Sequence, residues 1–101
     1  MPKVYIPNKG AHDYSDANRF GDIVFLTSGS VPRFYTESMY RELVEGMQDA
    51  EETDYLLISS LAILNALASA IMSRKFGRVN YLLFRDGEYI EKVVVIDALL
   101  E

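Results

Sequence analysis

Apolar positions along the chain come in runs whose period switches between two and three to four, and the switches predict alternating strands and helices. Val4 to Ile6 is a short apolar run closed by Pro7, and Asp22 to Thr27 is apolar on both faces before Ser28-Gly29-Ser30. Both have the pattern of interior strands. Between them, Ser15 offers an N-cap and Gly21 a C′ glycine, which predicts a short helix. Thr36 is placed to cap a second helix, in which Met39, Leu43 and Met47 recur with Tyr40 and Val44 on one face. Gly46 inside it costs about 1 kcal/mol against alanine.

An acidic loop from Asp49 to Asp54, whose charges are expected to be solvated, leads into a third strand at Tyr55 to Ile58. A third helix opens at Leu61, runs to Phe76 and is ended by Gly77. It is apolar nearly all round, with small residues at Ala62, Asn65, Ala66, Ser69, Ala70 and Ser73. A helix on the outside of a small sheet normally shows water a polar face, so self-association through this helix is expected, giving a homo-oligomer. The final segment reads as a hairpin. Val79 to Arg85 and the strand from Glu88 flank Asp86-Gly87, a pair that suits a type I′ turn.

The order β-α-β-α-β-α-β-β predicts a single α/β domain over residues 1–101: a small three-layer Rossmann-like or flavodoxin-like sandwich. Its sheet is mostly parallel, with an antiparallel C-terminal edge hairpin. Residues 55–73 carry no charge, but polar interruptions at Ser59-Ser60 and Asn65 make a buried strand and helix a better reading than a membrane span. The N-terminus lacks a signal-peptide apolar region, so a cytoplasmic location is expected.

Net charge is -5, which removes the basic surface that nucleic-acid polymers require. Arg74, Lys75 and Arg78 cluster, and read as cations complementing helix C-terminal carbonyls. With no cysteine and one histidine, disulfides, thiolate chemistry and Cys-based or multi-His metal sites are excluded. Neither the P-loop pattern nor G-x-G-x-x-G occurs, and Ser28 lacks the G-x-S-x-G elbow of a hydrolase.

The strand C-terminal ends hold the candidate chemistry. In open α/β sheets ligands bind there, beside helix N-termini with free N–H groups. The loop after strand one holds Lys9, Gly10, His12 and Asp13; the one after strand two holds Ser28 and Gly29; the one after strand three holds Ser59 and Ser60. Lys9 would supply charge to a backbone nest at the serines. His12 beside Asp13 would be the acid or base if the protein were an enzyme. Arg33-Phe34-Tyr35 supplies aromatics for stacking or for a staple into the next helix.

The segment Pro7-Asn8-Lys9-Gly10-Ala11-His12-Asp13-Tyr14-Ser15, with Arg19-Phe20-Gly21, is similar to small α/β proteins of phage and other prokaryotic genomes. The resemblance extends over the chain in length and pattern and implies no activity, cofactor or catalytic residue. The leading expectation is therefore a small anionic-ligand or nucleotide-binding domain using Lys9, Gly10, His12, Asp13, Ser28, Gly29, Ser59 and Ser60. The alternative, from a different class, is a phage-encoded structural or regulatory interaction module acting as a homo-oligomer without catalysis.

Overall fold

The computed structural model describes residues 1–28, 37–59 and 61–101. Strands β1 (Lys3–Ile6), β2 (Asp22–Phe25), β3 (Tyr55–Leu57), β4 (Val79–Arg85) and β5 (Glu88–Val94) form one sheet in the order β2-β1-β3-β4-β5. The first four run parallel and β5 returns antiparallel to β4. This is the flavodoxin-like strand order with its last strand reversed, so the predicted α/β class and edge hairpin both hold.

Right-handed crossovers dictate the layers. The chain moves one way from β1 to β2 and the other way from β2 to β3 and β3 to β4, so the first connection lies on one face of the sheet and the helices of the later two lie on the other. Accordingly α1 (Glu37–Gly46) and α2 (Ala62–Phe76) share a core with Tyr5, Leu56 and Val79. On the opposite face Val4, Ile6, Leu57 and Leu82 pack with Tyr14, Ala17 and Tyr89. That third layer is reduced to a five-residue 3-10 turn, Ser15–Arg19. A short helix α3 (Ile96–Leu99) ends the fold.

Several local expectations are corrected. β2 is an edge strand, not an interior one. Its apolar run reflects cover on both faces, with Val24 against one core and Ile23 against the other. The short helix after β1 is a 3-10 turn whose N-cap position is Tyr14 rather than Ser15, and Asp13 Oδ1 accepts the Ser15 N–H at 2.9 Å. In α1, Met39 and Leu43 are buried, followed by Met47, but Val44 is 53% exposed. Thr36 and the loop aromatics Arg33-Phe34-Tyr35 lie outside the described residues. In the acidic loop Asp54 is buried rather than solvated.

Within the uncharged run over 55–73, residues 55–57 form a strand and 62–73 part of a helix, which is buried along Leu64, Ala68 and Met72 but exposes Ala62, Ile63, Ala66 and Ala70 rather than being buried on more than one side. Among the described residues no helix is long and apolar enough to cross a membrane. The basic cluster divides its work. Lys75 Nζ donates to the Met47 and Gln48 carbonyls at 2.9 and 3.0 Å, closing the C-terminal end of α1 rather than of its own helix. Arg78 reaches Asn80 Oδ1 at 2.9 Å and sits 3.8 Å from Glu52.

The hairpin turn is as predicted, with Asp86 at φ 50 and Gly87 at φ 84, both in the left-handed region that a type I′ turn needs. Among the described residues nothing lies within 4 Å of a Cβ built on Gly87, so a side chain there meets only conformational strain. Gly87→Val is expected to destabilise the fold by about 1 kcal/mol or slightly more, read as a lowered urea midpoint. An unchanged midpoint would contradict this description of the turn.

Candidate functional site

Parallel strands that end together leave their loops side by side, and here the loops after β1 and β2 are tied at once. The Lys9 N–H donates to the Thr27 carbonyl at 2.8 Å, and the Thr27 hydroxyl donates to the Pro7 carbonyl at 2.7 Å. Lys9 and Ser28 form an isolated parallel bridge. The Lys9 ammonium lies 5.3 Å from the centre of the Phe25 ring, a cation–π contact at the sheet edge.

Next to this corner lies a cleft of about 240 Å³. His12, Asp13 and Tyr14 form one wall, Ile58 and Ser59 at the end of β3 form the base, and Phe84 and Tyr89 of the hairpin form the other wall. The hairpin reaches it because Arg19 of the 3-10 turn donates to the Tyr89 carbonyl at 2.8 Å, drawing the start of β5 over that face. His12, Tyr14, Phe84 and Tyr89 line it, with His12 to Tyr14 at 6.1 Å and Phe84 to Tyr89 at 5.3 Å, both edge-on, and outside the lining Tyr14 meets Phe25 at 6.0 Å. Such geometry suits aromatic pairs; Tyr14 and Tyr89 are buried, and the exposed ring surface belongs to His12 and Phe84.

Of the residues expected at the site, His12, Asp13 and Ser59 line the cleft. Lys9 and Ser28 lie beside it at the β1/β2 corner, and Gly10 is exposed, with nothing among the described residues within 4 Å of where a Cβ would stand. Gly29 and Ser60 lie outside the described residues. Sequence reasoning missed Ile58, Phe84 and Tyr89. One signal existed for the last two: they are cross-strand partners next to the Asp86-Gly87 turn, on the same sheet face as Leu82.

The polar groups are largely committed. Asp13 is held below the usual carboxylate range by the Ser15 N–H first and then by its hydroxyl, and among the described residues it makes no hydrogen bond to His12. The Ser59 N–H donates to Asn65 Oδ1 at 3.1 Å, and the Ser59 carbonyl accepts from Asn65 Nδ2 at 2.6 Å. A backbone nest at Ser59 therefore lacks its free N–H. Among the described residues, α2 begins after Leu61 with no side-chain cap, and the first turn of a helix carries N–H groups without intrahelical partners. Tyr89 has its hydroxyl pushed above its ordinary value by burial first, then by Tyr14, Asp16 and Asp13. It stays a neutral donor at physiological pH. Among the described residues no group of three or more His, Asp and Glu side chains is placed to hold a metal ion.

No curated protein and no solved structure is significantly similar to the chain. A family match covers nearly all of it, from Pro2 to Ile96. The chain belongs to the family described as Phage Pam3 gp32-like protein, matched over residues 2–96.

Proposed function

We propose that the protein binds a nucleotide, or a related anion carrying a planar ring, with the ring in the cleft between Tyr14 and the Phe84/Tyr89 pair. The observation that carries this reading is the convergence of four rings, His12, Tyr14, Phe84 and Tyr89, around Ser59 at the C-terminal ends of β1 and β3. Ligands of open α/β sheets sit at that end. The volume, about 240 Å³, is below the roughly 300 Å³ at which small-molecule pockets usually begin. It suits the ring alone and leaves the charged group outside, toward the N-terminus of α2 and the Lys9 corner.

Calorimetry with nucleoside monophosphates tests the reading. Phe84 is 63% exposed, so Phe84→Ala removes a stacking surface with little effect on folding. It is expected to weaken binding roughly tenfold, since one base–aromatic stack is worth about 1–3 kcal/mol. Failure of every nucleotide to bind at millimolar concentration, or equal binding by Phe84→Ala, contradicts it.

A further inference from the structure

Aromatic stacking accepts any base, because every base has a π-face, so selection among nucleotides has to come from polar groups at the edge of the cleft. Among the described residues that line it, Asp13 is the only carboxylate, and no lysine or arginine is present. Tyr89 is shared with an adjoining hollow of about 230 Å³, where Asp16, Arg19 and Glu88 stand. Arg19 is turned to the protein itself: its guanidinium donates to the Tyr89 carbonyl at 2.8 Å and lies 4.6 Å from the centre of the Phe20 ring. Lys9 lies over Phe25 at the sheet edge. The side of the cleft toward Tyr89 therefore sets Asp13, Asp16 and Glu88 against one cation, and its field favours a donor over an acceptor.

Asp13 is also held in place. Its Oδ1 accepts the Ser15 N–H at 2.9 Å, and the Ser15 hydroxyl bonds to the same carboxylate. An ionised carboxylate offers about four acceptor sites, so capacity remains for a donor in the cleft. We propose that the cleft selects bases that carry an amine across the ring from the sugar, adenine and cytosine, with that amine donating to Asp13; the inference rests on the cleft being the nucleotide site. An amine N–H on a carboxylate makes a charge-assisted bond, stronger than a neutral pair. A carbonyl in the same place turns an acceptor toward the acids and is disfavoured. The orientation also fits the rest of the ligand, because an amine at Asp13 sends the sugar and its phosphate away from the acidic side.

Calorimetry with adenosine monophosphate and with purine riboside 5′-monophosphate, the same ligand without its amine, decides it. The wild type is expected to bind adenosine monophosphate about tenfold more tightly, as one charge-assisted hydrogen bond at an exposed carboxylate sustains. Asp13→Asn keeps an oxygen for the Ser15 N–H but sets an amide donor against the amine, so the two affinities are expected to come within about twofold of each other, with an unchanged circular dichroism spectrum. Equal binding of the two ligands by the wild type overturns the selection while the nucleotide site stands. Binding of neither at millimolar concentration overturns the nucleotide site together with the selection. A preference that survives Asp13→Asn overturns the assignment of Asp13.

Discussion

Gly21→Ala is expected to destabilise the protein by about 3 kcal/mol, read as a large fall in the urea midpoint at constant slope. Gly21 is buried, and the carbonyl oxygen and carbon of Pro2 stand where its Cβ would be. Both are backbone atoms at the start of β1. They are held there by the Asp22 N–H, which donates to that same carbonyl at 2.9 Å and opens the β1–β2 register at Lys3 and Asp22. A methyl group therefore forces the two strands apart where their pairing begins, the upper end of the usual cost of overpacking. The backbone at Gly21 is not in the left-handed region, so the whole effect is steric. Gly10→Ala, where nothing among the described residues lies within 4 Å, is the control and is expected to change stability by less than about 0.5 kcal/mol. Equal midpoints for the two variants would contradict the close approach of residues 2 and 21.

The second large effect is expected from Asp54→Ala, at about 2–3 kcal/mol. Asp54 is 2% exposed, and its two oxygens accept separate main-chain donors, the Lys3 N–H at 2.9 Å and the Glu51 N–H at 2.8 Å. Its own carbonyl accepts from Asn80 at 3.1 Å. The side chain thus joins the start of β1 to the turn before β3, while the link to the start of β4 runs through the Asp54 main chain. Alanine leaves two partly buried N–H groups without acceptors, and each such loss costs about 1–3 kcal/mol before water replaces part of it. Asp54→Asn keeps one acceptor and is expected to recover about half of the loss. A stability unchanged in Asp54→Ala would show that these bonds are replaced by water at no cost.

The Asp54 network shows what local pattern leaves out. Within the run from Asp49 to Asp54 every acid looks alike, and only the side-by-side placement of β1, β3 and β4 makes the last of them a buried acceptor. The order of elements and the hairpin were legible, because period and the Asp86-Gly87 pair are local properties. The edge position of β2 was not, because two apolar faces are required of any strand covered on both sides, wherever it stands in the sheet. Val44 belongs to the apolar stripe of α1 by spacing, yet it faces outward because that stripe is wider than the contact α1 makes with the sheet. At the site, His12, Asp13 and Ser59 followed from the rule that α/β loops gather at strand C-terminal ends. Phe84 and Tyr89 did not, since the hairpin meets this loop only in the folded sheet, where Tyr89 packs with Tyr14 and its carbonyl accepts from Arg19.

The cleft itself is tested most directly by amide chemical-shift mapping of the isotope-labelled protein with adenosine monophosphate, against inorganic phosphate as control. The account predicts saturable shifts clustered at His12, Tyr14, Ser59, Phe84 and Tyr89 with the nucleotide, and only weak shifts near Ala62 and Lys9 with phosphate alone. Absence of saturable shifts at millimolar nucleotide, or shifts confined to the outer face of α1 and α2, would contradict it.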